Sequence, residues 1–545
     1  MKRKVVNMIA MISAMAMLVT GCGGSTTSTT GSNDSSQQTG ESVEEPVEFT
    51  STYIMTDWGG EADNFEILAQ MQEDANVEIS WLNYNSSDWE TQKNLVITGG
   101  NLPDVFTGVC LTSSDISKYA EEGMLLDLTD LIEEYMPNFS QILEENPYLK
   151  AMITNPDDGG IYTLPNVNGR TVSRTTGIHY INKTWLDNLG LEVPTTTEEY
   201  YEVLTAFKEQ DANGNGDPND EIPFSCYANS STFKAPYSYS NLFGAFGYAD
   251  TMESLTPHYV QDENGEIVFV PTTEGYKEAI QYMHRLVDEG LWDVESFTFT
   301  ALSQLVAKGS TSPSTLGSFV GYEKQFVVSA ENLDEYVVLE PLVGPDGVQS
   351  RLENGWTCTD MGQVNTTYVQ LTVNAQGKEE AILGFYDLCY DSDYAVQLFL
   401  GVDGTVISKD EEGKYSYNDT PEGVTWSEFR YQSAPVWFPL AIFPENWDDV
   451  VPQMDEDVLV DGILTEYYDD YLTVSSLFVA PTMDESKIIN STGEDINNYI
   501  DLTQAQWIVE GGIEEEWDAY LASLSDLGID DYTQLVKDMA ARMEE

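Results

Sequence analysis

The chain has 545 residues, too many for one ordinary core, and its 41% of hydrophobic residues can fill several cores or two large lobes. Its 23 Lys and Arg stand against 93 Asp and Glu, a formal net charge of −70. Such a surface repels phosphate backbones and anionic head groups, which argues against nucleic-acid binding and against membrane adhesion through a basic patch. With only three histidines, a His-based zinc site or catalytic triad has little support.

The first 21 residues read as a signal peptide. Lys2, Arg3 and Lys4 form a basic start, and Val5–Val19 is an apolar stretch too short to span a bilayer comfortably. The run Val19-Thr20-Gly21-Cys22 resembles a bacterial lipobox, which implies cleavage before Cys22 and acylation (palmitate) of its sulfur. The alternative is an ordinary secretory signal followed by a coincidental cysteine.

Residues 22–47 are expected to be a flexible linker. Positions 23–40 contain only Gly, Ser, Thr, Asn, Asp and Gln, which cannot build a core. We therefore expect a folded part tethered through Cys22 at the extracellular face of the bacterial cytoplasmic membrane. In that oxidising compartment Cys110, Cys226, Cys358 and Cys389 could pair in three ways or stay buried as free thiols, the interpretation we favour.

The pattern that follows is α/β. Phe49–Met55 alternates like a strand, Asp63–Asn76 carries a helical apolar stripe, and Val77, Ile79 and Trp81 alternate again. This order predicts a βαβ unit with parallel strands. A second helix over Asp88–Thr98 and a short buried strand over Leu102–Val109 are expected next.

Later helices are well marked. Thr195 to Glu199 offers two overlapping capping boxes before an apolar stripe, and Glu274–Glu289 carries a stripe that Gly290 can end. Further stripes at the C-terminal end predict more helices, and the periodic positions of Trp185, Trp507 and Trp517 predict core packing for these rings.

An acidic loop follows one of these helices. Oxygen-bearing side chains recur at Asp211, Asn213, Asn215 and Asp217, and Gly216 allows a sharp turn, so the loop starts like an EF-hand. Ile222 stands where that motif needs its bidentate Glu, and we expect Asp220 and Glu221 to close the loop instead. The sequence therefore predicts a structural Ca²⁺ site, against the alternative of a solvated turn.

Catalytic motifs are absent from the sequence: no G-x-S-x-G, G-x-x-x-x-G-K-[ST], G-x-G-x-x-G or H-E-x-x-H occurs. Carboxylate pairs occur by chance among 93 acidic residues, so a glycosidase pair can be neither recognised nor excluded by counting.

Several ordered stretches resemble the extracellular solute-binding lipoproteins of bacterial carbohydrate ABC transporters (the family 1 solute-binding proteins, large lipoprotein branch). They are Gly99–Val105, Ile161–Pro165, Asn182–Pro194, the Asp211 loop running into Asp220-Glu221-Ile222-Pro223, Gly401–Gly404, Asn498–Ile500, Trp517–Tyr520 and Leu524–Gly528. Asn182-Lys183 stands where the family often has Arg. Each stretch is weak alone, but the ordered set is specific.

The resemblance implies a two-lobed periplasmic-binding-protein-like fold of type II, each lobe a mixed β-sheet flanked by helices, with a ligand cleft between the lobes. Carried over from the family's layout, lobe 1 is expected to comprise residues 48–172 plus 355–425, and lobe 2 residues 173–354 plus 426–545. The chain should cross between the lobes near 169–177, 353–359 and 413–426.

Position suggests which side chains line the cleft. Asp57 and Trp58 follow the first predicted strand, and ligands of open α/β sheets gather outside the carboxyl ends of strands. Tyr322 and Glu323 follow a strand-like run, Trp356 lies at an expected crossover, and Trp437 lies in an aromatic stretch. Burial under a loop is the alternative for each. An acidic sugar would be repelled unless bases such as Arg170, Arg174 or Lys324 line the cleft.

The resemblance implies a monomeric, non-enzymatic binder that captures a saccharide, expected to be an oligosaccharide, and delivers it to the permease subunits of an ABC transporter. A lipid anchor would be its only membrane contact. The competing hypotheses are a calcium-dependent surface glycan hydrolase or lyase and a peptide-binding lipoprotein. Product analysis after incubation with oligosaccharides separates the enzyme from the binder.

Overall fold

The computed structural model describes residues 45–544 except 56–58, 171–176, 229–236, 251–254, 263, 346, 348–362, 425, 436, 445–446, 448–450, 452, 468–476 and 478. The predicted signal peptide, Cys22 and nearly all of the predicted linker lie outside the described residues. Within the described part, no helix combines the length and apolar composition needed to cross a bilayer.

Strands and helices alternate, so the predicted α/β class is confirmed. The strands are β1 (Val47–Met55), β2 (Val77–Asn85), β3 (Val105–Thr107), β4 (Leu164–Asn168), β5 (Ile178–Asn182), β6 (Ile222–Ser225), β7 (Tyr259–Gln261), β8 (Ile267–Phe269), β9 (Leu316–Gly321), β10 (Tyr336–Val338), β11 (Gln363–Leu371), β12 (Ile407–Lys409), β13 (Tyr415–Tyr417) and β14 (Ala441–Ile442).

The α-helices are α1 (Glu66–Asp74), α2 (Trp89–Thr98), α3 (Ser113–Glu121), α4 (Thr129–Tyr135), α5 (Pro137–Glu145), α6 (Pro147–Ile153), α7 (Lys183–Leu189), α8 (Thr197–Glu209), α9 (Ser240–Gly244), α10 (Glu274–Asp288), α11 (Ser303–Gly309), α12 (Glu379–Asp387), α13 (Ser392–Leu400), α14 (Trp426–Ser433), α15 (Asp455–Tyr467), α16 (Met483–Ile488), α17 (Glu494–Glu510), α18 (Ile513–Leu527) and α19 (Ile529–Glu544). A π-helical turn, Ile489–Gly493, joins α16 to α17.

Among the described residues the strands form two mixed sheets and two hairpins. The first sheet has six strands in the order β14-β4-β11-β3-β1-β2, and the second has four in the order β10-β5-β9-β6. The hairpins are β7-β8 and β12-β13. Both sheets belong to one compact unit, Pro46–Glu545.

Local sequence explains why these elements form where they do. The predicted βαβ unit is confirmed, since β1 and β2 pair in parallel from Val47–Val77 to Met55–Asn85. The capping box predicted before α8 is present, with Thr196 accepting from the Glu199 backbone N–H. Gly290, after α10, takes a φ of +63°, a left-handed conformation that glycine adopts without a Cβ clash.

The cores lie between the sheets and their helices. Under the first sheet, the hydroxyls of Ser51, Thr107 and Tyr386 (on α12) hydrogen-bond to one another. These buried polar groups are therefore satisfied within an otherwise apolar layer. Trp185, Trp507 and Trp517 are buried, which confirms the predicted core role of these rings. Cys110, Cys226 and Cys389 are buried free thiols, while Cys358 lies outside the described residues.

The chain visits the first sheet three times. After β1 to β4 it enters the second sheet at β5, returns for β11, and returns again for β14, which pairs in parallel with β4. The expected layout assigned residues 426–545 to lobe 2, and the short strand Ala441–Ile442 within that range pairs in the first sheet.

Candidate ligand-binding site

Strand direction gives each sheet one edge rich in carboxyl ends. In the first sheet β1, β2, β3, β4 and β14 run parallel, and only β11 runs against them. In the second sheet β6, β9 and β10 share a direction, and β5 opposes them. Ligands of open α/β sheets bind outside such carboxyl ends, so these two edges are where a site is expected.

Arg170 connects the two edges. It follows the carboxyl end of β4 in the first sheet, and its Nη1 lies 2.5 Å from Oε1 of Glu323, which follows β9 in the second sheet. Its Nε lies 3.0 Å and its Nη2 3.2 Å from the carboxylate oxygens of Asp457 on α15. The carboxyl edges of the two sheets therefore face each other across this arginine.

Three ionisable groups are buried together at this junction. Arg170 and Glu323 are each 2% exposed and Asp457 is 0% exposed. Burial alone would lower the pKa of Arg170, but the Glu323 and Asp457 carboxylates outweigh it and raise the pKa. One cation shared by two carboxylates leaves a surplus negative charge, and burial together with the nearby Asp457 raises the pKa of Glu323.

Glu456, the residue before Asp457, extends this charged group. The Tyr180 hydroxyl of β5 donates a short hydrogen bond to Oε1 of Glu456. Burial, followed by the charge of Glu323, raises the pKa of Glu456 to about 7. The junction thus holds one carboxyl group that changes its charge near neutral pH.

Aromatic rings surround the charged group. The Arg170 guanidinium lies 5.6 Å from the centroid of the Trp426 ring, and Tyr417 packs edge-on against the same ring. Two other ring pairs, Tyr322–Phe326 and Phe326–Tyr431, have centroids 6.3 and 6.1 Å apart. Tyr322, Phe326, Trp426 and Tyr431 are all half-buried residues, so none of them is sealed into the core.

Trp437 lies at the first-sheet edge. It is half-buried and packs against the cluster that contains Ile54, Phe106 and Cys110, beside the carboxyl ends of β1 and β3. Its backbone φ is +60°, a conformation that a bulky side chain rarely adopts. Backbone strain of this kind concentrates at functional positions, which sets Trp437 apart from a routine packing residue.

The structure locates half of the predicted ligand-binding residues. Tyr322 and Glu323 follow β9, and Trp437 lies beside the carboxyl ends of β1 and β3, although the Glu323 carboxylate is bound to Arg170 and buried. Their contact with a ligand stays a prediction. Asp57, Trp58 and Trp356 lie outside the described residues. Of the bases considered, Lys324 lies next to this group and Arg174 lies outside the described residues.

Sequence reasoning missed Glu456, Asp457, Trp426 and Tyr431 as members of this site. Glu456 and Asp457 belong to an acidic run at the start of α15, and nothing distinguishes that run among 93 acidic residues. Trp426 and Tyr431 lie on α14, whose apolar pattern is too weak to mark a binding face. The one usable signal was Arg170, which is among only 23 basic residues in the chain.

The predicted calcium loop after α8 is curled by its own hydrogen bonds. Asp211 accepts from the Gly216 backbone N–H at 3.0 Å, and Asp220 accepts from the Asn213 and Asn215 side-chain amides. Gly214 and Gly216 take positive φ values of +72° and +94°, which permits the tight curl.

Two oxygens of this loop are buried without a hydrogen-bond partner: Oδ1 of Asp211 and Oε2 of Glu221. Burial raises the pKa of Glu221, and the neighbouring Asp220 charge adds to this effect. Within the described residues, no three acidic, His or Cys side chains already form a metal-binding group, so amide or backbone oxygens would have to complete the ligand set. Orphaned hard oxygens fit Ca²⁺.

Comparison with known proteins gives one consistent result. Residues 58–337 match the family model for bacterial extracellular solute-binding proteins. The fructooligosaccharide ABC transporter substrate-binding protein FusA of Streptococcus pneumoniae serotype 4 is 32% identical over 479 residues, which cover 86% of this chain and 85% of FusA.

Comparison with solved structures gives the same family. FusA in complex with kestose superposes with a TM-score of 0.78 at 28% identity, covering 91% of this chain and 99% of FusA, and an EF-hand mutant of FusA in complex with fructo-nystose gives the same values. An HMO binding solute-binding protein from Bifidobacterium longum infantis has a TM-score of 0.74 at 25% identity, covering 91% of this chain and 98% of that one. The chain therefore belongs to the bacterial extracellular solute-binding proteins, with their type II fold, as its motifs predicted.

Proposed function

We propose that this protein captures a neutral oligosaccharide of the fructo-oligosaccharide class between the facing sheet edges and delivers it to an ABC transporter permease. The observation that carries the proposal is the half-buried aromatic group at the junction of the two edges, in a chain that shares its fold with a kestose-bound relative. Sugar rings present C–H faces that stack on aromatic rings, and carboxylates and amides accept hydrogen bonds from their hydroxyls.

Charge favours a neutral ligand. The chain carries a net charge of −70, and the Arg170 guanidinium already binds two carboxylates, so it has no charge left for a uronic acid. Arg430 donates to the Phe399 carbonyl and lies over the Phe399 and Tyr431 rings. Lys324, the base next to this group, donates to the Tyr336 carbonyl, and one such base is set against the chain's 93 carboxylates. An acidic oligosaccharide would therefore meet a repulsive field.

We propose Tyr322 and Trp437 as stacking surfaces, with Asp57, Trp58 and Trp356 as further contacts. The burial of Glu323 and its bond to Arg170 support an indirect role for this predicted residue, in shaping the site. The expected lobes, 48–172 plus 355–425 and 173–354 plus 426–545, remain our proposal for the moving parts, with β14 belonging to the first sheet.

We further propose a structural Ca²⁺ held by Asp211, Asn213, Asn215, Asp217, Asp220 and Glu221. The orphaned Asp211 and Glu221 oxygens support it, and the EF-hand of the FusA relative lends it a precedent. Because the Asp217 side chain accepts from the Asn219 amides, its backbone carbonyl is the better ligand. The ion would neutralise the loop's charge and fix its curl, with no part in ligand chemistry.

We propose that Cys22 anchors a monomer to the extracellular face of the membrane. The lipobox-like run before Cys22 supports this, and the Cys22→Ala variant should then move from the membrane fraction to the soluble fraction. A variant that remains with the membrane would reject the anchor without affecting the binding proposal.

Calorimetry with kestose and nystose tests the main proposal, with maltotriose as the neutral control and trigalacturonate as the acidic one. We expect binding of the fructo-oligosaccharides only, and intact sugar in the supernatant after prolonged incubation. Cleavage products would establish the rival hydrolase or lyase. No binding of any fructo-oligosaccharide would reject the proposed ligand class.

A further inference from the structure

We propose that Arg170, inserted between Glu323 and Asp457, is an ionic lock that holds the two sheet edges together and thereby sets ligand affinity. The inference rests on the proposed function for its affinity readout only. It assigns to this buried triad a role in closure, which is separate from contact with the sugar.

Arg170 belongs to the part of the molecule that contains the first sheet. It follows β4 directly, its backbone N–H donates to the Asn168 side chain at 3.2 Å, and the preceding Gly169 donates to the Ile442 carbonyl of β14 at 2.6 Å. A Cβ at Gly169 would come within 2.4–2.5 Å of the backbone of residues 442–444, so the backbone there is tightly seated. Arg170 is therefore fixed to the first sheet.

The Glu323 and Asp457 carboxylates belong to the part of the molecule that contains the second sheet. Glu323 follows β9, and the next residue, Lys324, donates to the Tyr336 carbonyl of β10. Asp457 lies on α15, whose Val460, Ile463 and Leu464 share a hydrophobic cluster with Tyr180, Phe319 and Tyr336 of the second sheet. The cation follows a strand of the first sheet, and its two anions belong to the second sheet and to the helix packed on it, so the triad breaks if the edges separate.

The triad lies beside two of the expected crossovers between the lobes. Arg170 immediately precedes residues 171–176, within the first expected crossover, and the Trp426 ring under its guanidinium ends the third. If the lobes rotate about these crossovers, the triad breaks only when the rotation withdraws the guanidinium from the carboxylates. Because the cation and the two anions lie on different lobes, breaking the triad accompanies a separation of the lobes that scattering can measure.

Burial makes the triad specific for one arrangement. Only well-aligned partners compensate buried ions for their lost hydration, and here the guanidinium meets the two carboxylates with five contacts of 2.5–3.4 Å. When the edges separate, water solvates the three groups instead. The lock therefore discriminates between arrangements even where its net contribution to folding is small.

Affinity follows by linkage. A ligand held by both edges binds the closed form better than the open form. An interaction that already favours the closed form reduces the binding free energy that is spent on closure. Removing the lock should shift the ligand-free protein towards the open form. The dissociation constant should then rise by roughly 5- to 150-fold, the usual range of coupling between two sites.

The test compares wild type with the triple variant Arg170→Met, Glu323→Gln, Asp457→Asn, which removes all three charges and leaves none buried without a partner. The matched control is Arg285→Met with Glu198→Gln. It removes an ion pair with an N–O distance of 2.9 Å that lies wholly within the part containing the second sheet. Small-angle scattering without ligand and calorimetry with nystose are measured on each protein. We expect a larger ligand-free radius of gyration and a weaker nystose affinity for the triple variant, and no change in the control.

Should the triple variant fail to fold, Glu323→Gln alone tests the same idea, since it leaves Arg170 balanced by Asp457. We expect a smaller change in the same direction. A wild-type radius of gyration and a wild-type nystose affinity in a folded variant would overturn the lock and make the triad a static support. If wild type itself does not bind nystose, the proposed ligand class fails, while the scattering comparison still decides the lock.

Discussion

Glu456 shows how a single half-buried carboxyl group links pH to stability. It receives the Tyr180 hydroxyl bond from β5 and faces Glu323, Lys324 and Arg170, and its pKa is raised to about 7, first by burial and then by Glu323. Because the folded protein holds this proton more tightly than the unfolded chain, the stabilisation is present below the ordinary Glu pKa and is lost as pH rises towards 7.

We expect Glu456→Gln, which mimics the protonated form, to melt at a higher temperature than wild type at about pH 8 and to lose less stability between about pH 5 and about pH 8. The difference at the higher pH should amount to roughly 1–3 kcal/mol. Thermal melts across this pH range provide the measurement. Parallel curves for the two proteins would show that Glu456 titrates normally.

The backbone conformation of Trp437 leads to a second prediction about a single residue. Its φ of +60° costs little for glycine but strains any other residue. We expect Trp437→Gly to be more stable than Trp437→Ala by about 1 kcal/mol, although both lose the same ring. Denaturant titration of the pair measures this difference, and equal stabilities would contradict the left-handed backbone.

The same pair tests the stacking role. If the Trp437 ring contacts sugar, both variants lose affinity for nystose by a similar factor, whatever their stability. A wild-type affinity in the Gly variant would reduce Trp437 to a packing residue beside β1 and β3.

At the scale of elements, the loop after α8 can be tested as a calcium site. We expect chelation to lower the melting temperature of wild type and added Ca²⁺ to restore it, because an ion that binds only the folded state stabilises by about 2.7 kcal/mol at 100 times its Kd. Asp211→Asn should abolish this response, since it removes an orphaned ligand oxygen.

The matched control is Asp410→Asn, another turn aspartate whose carboxylate accepts from backbone amides, those of Glu412 and Lys414. That variant should keep the full response to chelation. A wild-type melting curve that does not move after exhaustive chelation, with no calcium found by elemental analysis, would favour the solvated turn.

The whole molecule carries a net charge of −70, because its 23 basic residues offset only part of its 93 acidic ones. Like charges repel most strongly in the compact state, and salt screens them. We expect the melting temperature to rise as NaCl increases from about 20 mM to about 300 mM, with calcium kept saturating. A melting temperature that falls with salt would mean that local ion pairs, such as the Arg170 triad, outweigh the general repulsion.

Local pattern was sufficient for much of the fold. Period-two alternation placed β1 and β2, a capping box placed the start of α8, and ordered motifs pointed to the family that the comparisons confirm. These features succeed because neighbouring residues determine them. Turn glycines, caps and apolar stripes act over a few residues, and the chain need not be folded for them to be recognised.

The site depends on residues that only the folded chain brings together. Arg170 meets Glu323 across 153 positions and Asp457 across 287, and neither acid differs in sequence context from the chain's many other carboxylates. The sequence by itself determined the class of protein and the position of several elements, while the export signal stays a prediction. Tertiary structure decided which charges are buried against which, because desolvation and pairing depend on distance in space, and that distance is set by strand order and helix packing.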